Sequence, residues 1–309
     1  MNRFSLVLLL CCSSLLLAQS PNRNPNKNEP PILGPHWTRG QAKGQPASSN
    51  NDLLYHGGPI LPSTYVQAIF WGSSWGSYTG DKISGIDRWY SYVGTVSGGS
   101  GSAYEATVNE YTDSAGHRVS TATTYGGHIT DASSLPKHIS TSAVLSEVCK
   151  VLNGTAKPNG YYPVYVDRRR GGANYCAYHS WGSCGGTPVE FGFFFNLDGD
   201  AGCDPQSTVS GESQGLAALA NVSGHELSET RSDPNGNAWY ASNGEENADE
   251  CAWTFGGSSV TFLDGTRWKI QGNWSNAAND GTSPNGAGYT TSLGKGCVDG
   301  SNYPGPYTK

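Results

Sequence analysis

The stretch NVSGHELSETRSDPNGNAWYASNGEENADECAW, residues 221–253, decides the fold and the chemistry that we predict for this chain. It places His225, Glu226 and Glu229 inside a helical pattern that stops at the Asp-Pro pair of residues 233–234. Proline disfavours a helical conformation at the residue before it, so the chain must turn there. No other part of the sequence gathers so many acid/base and metal-binding side-chain types at helical spacing.

Residues 214–230 predict a largely buried helix that presents His225 and Glu229 on one face, because residues four apart are neighbours on a helix. A pair at this spacing can bind one metal ion, and Glu226 would then act as the general base that takes a proton from water. The H-E-x-x-H metallopeptidases work in this way, with a third ligand supplied downstream. We expect Glu246, seventeen residues after Glu229, to be that ligand.

The motif departs from H-E-x-x-H because Glu229 stands where the second histidine would be. One imidazole and two carboxylates make a bound zinc ion a weaker Lewis acid and let oxygen-preferring ions compete. We therefore expect a divalent metal, with zinc favoured and calcium as the alternative. Asp249 is expected to hold His225 in place from outside the ligand shell. His179, ahead of His128, is the first candidate for an additional or alternative ligand.

Two other interpretations use the same residues. In the first, they hold a structural ion or a buried polar network in a non-enzymatic secreted signalling or wall-binding protein. In the second, Glu226 pairs with Glu246 or Asp249 as the two carboxylates of a glycoside hydrolase, a reading that the carboxyl separation decides. The main hypothesis is metal-dependent hydrolysis of a peptide bond.

The start of the chain predicts export. Residues 1–20 combine a charged start, an apolar run and small residues at a cleavage position, as secretory signals do. The run is too short for a membrane span. Residues 21–51 are rich in Pro, Asn, Lys and Gly and predict a disordered linker, and residues 52–309 form the predicted domain. We expect a secreted, extracellular protein.

The cysteine count agrees with an oxidising compartment. Of eight cysteines, two lie in the apolar run of residues 1–20, which leaves an even set of six. Six cysteines in an exported chain indicate three disulfides, although fifteen pairings are open. The pairing that we favour is Cys251 with Cys297, Cys176 with Cys184, and Cys149 with Cys203.

Composition limits the partners. The net charge of −6 argues against nucleic acid or an anionic membrane as a partner. With 42 glycines and few charged residues, the chain suits a loop-rich extracellular domain. We expect a monomer that acts on an extracellular protein or peptide, with wall polysaccharide as a second partner class.

Hydrophobic periodicity predicts an α+β fold: a single zincin-like domain with a mixed sheet, a long buried site helix and three disulfides. Pro163 predicts an edge or bulged strand for its segment. Asp264-Gly265 predicts a hairpin within residues 260–270. Strands are predicted at 65–71, 104–111, 161–166 and 189–195, and helices at 83–96, 142–152 and 214–230.

Six motifs in fixed order also carry a family resemblance: YHGGPIL (55–61), AIFWG (68–72), YCAYHS (175–180), GHELSE (224–229), NAWY (237–240) and ENADEC (246–251). In these motifs the sequence resembles the Exordium, or phosphate-induced, protein family of secreted plant proteins and their bacterial relatives. The resemblance implies an extracellular protein of a family linked to growth and carbon-status signalling, with no firmly assigned chemistry. It suggests a bacterial-type relative that keeps the His-Glu site intact.

Overall fold

The computed structural model describes residues 29–42, 52–94, 104–256, 259–280, 293 and 296–301. The predicted signal segment, residues 1–20, lies outside this part of the chain. The strands are β1 (Leu33–Trp37), β2 (Leu54–Tyr55), β3 (Thr64–Trp71), β4 (Thr123–Asp131), β5 (Gly160–Arg169), β6 (Tyr175–Cys184), β7 (Thr187–Asn196), β8 (Trp239–Tyr240), β9 (Val260–Thr261), β10 (Arg267–Trp268), β11 (Asn273–Trp274) and β12 (Cys297–Val298). The helices are α1 (Lys82–Val93), α2 (Thr141–Leu152), α3 (Gln214–Ser232) and α4 (Asn276–Asp280), with 3-10 helices at Ser73–Ser77 and Glu105–Val108.

A six-stranded mixed sheet in the order β1-β6-β7-β5-β3-β4 forms the centre of the fold. Strands β4, β3, β5 and β7 run parallel, whereas β6 is antiparallel to β7 and β1 is antiparallel to β6. Parallel strands need helices on both faces of the sheet. On β6, Gly182 lies against Leu145 of α2, while His179, three residues earlier and so on the other face, lies against α3. The mixed sheet and α+β composition are therefore confirmed.

Helix α3 begins at an N-cap, where the Ser213 hydroxyl accepts a hydrogen bond from the Leu216 N–H. It ends at Asp233, one residue before the proline, as the sequence predicts. Every residue from 215 to 232 is buried. The polar groups in its middle are therefore held away from water, which costs free energy unless they find partners.

Two predicted elements differ from the structure. Residues 104–111 do not form a strand but contain the 3-10 helix Glu105–Val108, where the Thr107 hydroxyl donates to the Tyr104 carbonyl and holds a turn. Strand β5 is central, although Pro163 predicts an edge or bulged strand. The pairing of β5 with β3 passes from Tyr161 to Val164, so the missing N–H of Pro163 is not needed on that side.

The predicted disordered linker contains a strand. Residues 33–37, within the 21–51 segment, form β1 at the edge of the large sheet and pair with β6. The prediction is wrong for these residues because the low apolar content of the whole segment hid the short run PILGPHW. Residues 21–28 and 43–51 lie outside the described chain.

Three disulfides are present, and one of the predicted pairs is confirmed. Cys251 joins Cys297 as predicted. The other two pairs are exchanged: Cys149 joins Cys184 and Cys176 joins Cys203. The prediction failed because Cys176 and Cys184 lie at the two ends of β6, too far apart for a bond that needs Cα atoms within about 7 Å. Three disulfides suit an oxidising, extracellular-like environment.

Smaller sheets complete the fold. Strands β9 and β10 pair antiparallel around Asp264-Gly265, which confirms the predicted hairpin. Strand β2 pairs with β8, and β11 pairs with β12. Among the helices described, none has the length and apolar content needed to cross a membrane.

Candidate metal centre

The first group of possible ligands is built around His225 and Glu229, one helical turn apart on α3. His225 Nε2 is 3.1 Å from Glu229 Oε1 and 3.5 Å from Asp249 Oδ1. The backbone N–H of Asp249 donates to Glu229 Oε1 at 3.0 Å. This bond fixes the acidic turn, residues 245–249, against the helix. The ligand atoms of these three residues all lie within 4.8 Å of one another, with His225 and Glu229 buried and Asp249 partly exposed.

A second group shares Glu229. His179, at the middle of β6, places Nε2 3.1 Å from Glu246 Oε2 and 3.9 Å from Glu229 Oε2. All three residues are buried, and their ligand atoms also lie within 4.8 Å of one another. Helix α3 and strand β6 thus face each other across the acidic turn of residues 245–249.

The predicted ligand set is divided between these groups. His225 lies with Glu229 and Asp249, whereas Glu246 lies with Glu229 and His179. Asp249 faces the same ring nitrogen of His225 as Glu229 does, so it could bind a metal itself as well as hold His225 in place. The other histidine considered, His128, lies apart from the site and contacts Asp87 at 2.9 Å.

The residues fit a metal ion. Bonds of about 2.1 Å place neighbouring ligand atoms of a tetrahedral site about 3.4 Å apart, which the distances within each group bracket. Several of these atoms are buried without a hydrogen-bond partner, namely His225 Nε2, Glu229 Oε2 and Glu246 Oε1. Buried polar atoms are normally paired. Cations bound by these groups would supply such partners, although the mixed nitrogen and oxygen donors do not select one metal.

The histidines are held in the neutral form that binds metals. Burial lowers the pKa of His179 to about 4. Burial also lowers the pKa of His225 well below its usual value, and the neighbouring His36 and His179 act in the same direction. Neutral imidazole is the form that donates a lone pair to a metal.

The carboxyl groups show the opposite shift. Burial raises the pKa of Glu246 to about 8. Burial, then the charges of Asp249 and Glu246, raise the pKa of Glu229 well above its usual range. Asp233 belongs to the same cluster, since burial and the charge of Glu246 raise its pKa too. In the sequence, Asp233 is marked only as the end of a helix, because Pro234 follows it. A cation bound among these groups would favour their ionised form and lower these pKa values.

Glu226 lies fully buried beside the ligands, and neither of its carboxylate oxygens has a hydrogen-bond partner. Burial, then the charges of Asp249 and Glu246, raise its pKa well above the usual value. The backbone N–H of His36 lowers this pKa, although it does not reach hydrogen-bond geometry with the carboxyl. A raised pKa suits a group that accepts and returns a proton.

Gln271 was missed in the sequence analysis. Its Nε2 lies 3.1 Å from His225 Nδ1 and donates to the Ala248 carbonyl at 2.8 Å. Its backbone N–H donates to Asn221 Oδ1 of α3 at 2.8 Å. A metal on Nε2 of His225 leaves the ring proton on Nδ1, so Gln271 would hold the ring in a metal-loaded site with its amide turned to present Oε1 to Nδ1. It lies 46 residues from His225, and no local pattern in the sequence links the two.

Strand β1 covers the cluster. Gly34 approaches so closely that a Cβ there would overlap Glu229 Oε2 and lie 2.7 Å from Glu246 Oε2 and 2.8 Å from His179 Nε2. Two residues on, the His36 ring stacks on His225 with centroids 4.2 Å apart. The other neighbour of His36 is Trp253, at 4.5 Å. No sequence pattern predicts these contacts, because Gly34 and His36 lie in the predicted linker.

A cavity of about 340 Å³ opens beside β1. Residues of β1 form one wall, the acidic turn forms another, and Glu246 and Asp249 lie at its surface. The cavity gives the acidic cluster a route to solvent. Comparison with models of known families finds no match for this chain, and comparisons with curated proteins and with solved structures find none either.

Proposed function

We propose that this protein is a metal-dependent hydrolase that cleaves peptide bonds in an extracellular protein or peptide. One observation carries the proposal: the ligand cluster already has an extended polypeptide segment, β1, lying across it. The segment pairs antiparallel with β6, from Leu33 opposite His179 to Trp37 opposite Tyr175. A groove that takes a backbone in this way suits a peptide better than a sugar chain.

Backbone pairing is a general means of binding peptides, because the edge of a sheet offers N–H and C=O groups that any extended peptide can match. Here β6, which would be the edge strand if β1 left, also supplies His179. A peptide paired with β6 therefore passes directly over the ligands. Gly34 is the residue of β1 that comes closest to the ligands. Its N–H group lowers the pKa of Glu246, and its C=O group raises the pKa of His225.

Each residue has a role in this proposal. Either ligand group, His225 with Glu229 and Asp249 or His179 with Glu229 and Glu246, would hold a metal, which would polarise the peptide carbonyl and activate a water. Glu226 would take the proton of that water and pass it to the leaving amine. Its carboxyl lies next to the strand, close to the backbone of His36, which is where a proton acceptor must be.

The peptide bond after Gly34 is an Xaa-Pro bond, since Pro35 follows. Proline leaves that amide without an N–H and fixes its conformation. We propose that this explains why β1 can occupy the groove as part of the chain without being a good substrate. The groove would open to other peptides when β1 leaves it.

The rival hypothesis is a secreted signalling or wall-binding protein in which the same cluster holds a structural ion. Both hypotheses agree with an extracellular setting and with the resemblance to the Exordium family, which remains a proposal. They differ over Glu226, because a structural ion does not need a free carboxyl beside it. A zincin-like fold and the choice of zinc over calcium are likewise parts of the proposal.

The deciding experiment joins metal content to catalysis. Purified full-length protein is assayed by elemental analysis and against a fluorogenic peptide library, as wild type and as Glu226→Gln. We expect bound divalent metal in both and a fall of about 10² to 10⁴ in kcat/KM for the variant. Glu212→Gln, a change in a turn where that carboxylate accepts from backbone N–H groups, is the control. Metal without any cleavage, with a melting temperature that falls on chelation, would establish the rival.

A further inference from the structure

Glu229 directs its two carboxylate oxygens to two different histidines. Oε1 lies 3.1 Å from Nε2 of His225, and Oε2 lies 3.9 Å from Nε2 of His179. The residue is fully buried, and Oε2 has no hydrogen-bond partner. A carboxylate in this position can bridge two ions as readily as it can bind one.

The two histidines do not belong to one ligand set. Among the described residues, each set with ligand atoms inside 4.8 Å contains either His225 or His179. Each set is complete for a metal with an open position, because it supplies one imidazole and two carboxylates. A single ion could use only one set. The histidine of the other set would then stay buried, with only a carboxylate beside its Nε2.

Charge favours two ions as well. Five carboxyl groups converge here, and the ion pairs formed by these carboxyls have histidine partners and no lysine or arginine among the described residues. Carboxyl groups in such a setting ionise at low cost only where cations compensate their charge. One divalent ion compensates two ionised carboxylates and two ions compensate four. The carboxyls are Glu226, Glu229, Asp233 and Glu246, which are buried, and Asp249, which is partly exposed.

We propose that the protein binds two divalent metal ions bridged by Glu229. One ion is held by His225, Glu229 and Asp249, and the other by His179, Glu229 and Glu246. The inference rests on the proposed function, since it deepens the same metal centre. It assigns this site to the two-metal class of hydrolases, in which two ions about 3.5 to 4 Å apart stabilise both the attacking and the leaving group.

Metal stoichiometry tests the inference on the full-length chain. Protein stripped with a chelator is reloaded with Zn²⁺, desalted and measured by elemental analysis against protein concentration. We expect two ions per wild-type chain. We expect one ion after His179→Ala and one after His225→Ala, because each change removes the imidazole of one set. His128→Ala, a histidine away from the cluster, is the control and should keep two.

A second measurement needs no variant. Wild-type protein loaded with Mn²⁺ is examined by electron paramagnetic resonance, where two bridged ions give an exchange-coupled signal and one ion gives the six lines of isolated Mn²⁺. One ion per chain with an uncoupled signal overturns the two-metal site and leaves the proposed hydrolase standing. No metal in either experiment overturns both proposals together.

Discussion

The backbone of Gly34 lies against the carboxylate of Glu229, so that a Cβ at position 34 would overlap Oε2. Gly34 also has a φ of +41°, in the region that favours glycine. Strand β1 therefore reaches the ligands only because residue 34 has no side chain. Strand β1, which occupies the groove, therefore contacts the ligand residue Glu229 through Gly34.

A larger residue at position 34 should expel β1 from the groove. We expect Gly34→Val to raise hydrolysis of a fluorogenic peptide library at least about tenfold, which requires β1 to be weakened by about 1.4 kcal/mol. The Trp253 side chain loses its contact with His36 when β1 leaves, so tryptophan emission should shift to longer wavelength. Both signals are measured on the same samples.

Two glycine variants separate displacement of β1 from other effects. Gly40→Ala places a Cβ in open space on the same segment. Gly57→Ala also meets no atom but has a φ of +95°, so it reproduces the backbone strain without the clash. Neither should raise hydrolysis. If Gly34→Val lowers the melting temperature and leaves hydrolysis at the wild-type rate, β1 is a fixed wall and not a removable strand.

Gln271 should control metal affinity through His225. We expect Gln271→Leu to weaken binding of Zn²⁺ about 10- to 100-fold, because the ring loses the amide beside Nδ1 whose oxygen would accept the Nδ1 proton in the metal-loaded site. Competition with a chromophoric chelator measures the change. Gln214→Leu is the matched control: its side chain bonds Asp204 and the Gly199 N–H at the other end of α3, so the variant should lose stability and keep its metal affinity.

Local patterns predicted the site helix well and its surroundings poorly. The apolar spacing, the spacing of His225 and Glu229, and the following proline define α3 almost to its ends. The partners Gln271 and His179 are brought in by the sheet and by loop packing over 46 and more residues, and nothing local encodes that meeting. Strand β1 escaped prediction because its five residues sit in a polar segment.

The disulfide between Cys251 and Cys297 should stabilise the acidic turn as well as the fold. Cys251 lies two residues after Asp249, and its bond closes a loop of 46 residues. We expect Cys251→Ser with Cys297→Ser to lower the free energy of unfolding by about 2 to 4 kcal/mol and to weaken metal binding. Replacing Cys149 and Cys184, which join α2 to the far end of β6, should cost similar stability without affecting the metal. Equal metal affinity in both double variants would contradict the role of the first bond.

The buried ion pair of Arg231 and Glu105 should matter more than any surface pair. Arg231 Nη1 lies 2.7 Å from Glu105 Oε1, and both side chains are 1 % exposed. We expect Arg231→Met to cost about 3 to 5 kcal/mol, since it leaves a buried carboxylate without its cation. Arg88→Met removes a pair whose arginine is 53 % exposed and should cost about 1 kcal/mol or less. Urea denaturation measures both, and adding Glu105→Leu to Arg231→Met should recover part of the loss.

Glu190 of β7 should make the protein less stable as the pH rises. Burial raises the pKa of Glu190 to about 8 from an ordinary value of 4.5, and one of its oxygens has no hydrogen-bond partner. Between these two values the folded state binds more protons than the unfolded state, so the contribution of this group to stability is complete below about pH 4.5 and is lost as the pH rises through about 8.

Glu190→Gln keeps the shape of the side chain and removes its charge. We therefore expect the variant to match wild type near pH 4.5 and to exceed it by roughly 4 to 5 kcal/mol near pH 9, since each pKa unit is worth about 1.4 kcal/mol. Urea denaturation at both pH values measures the difference, and a difference that stays constant with pH would show that Glu190 does not titrate in this range.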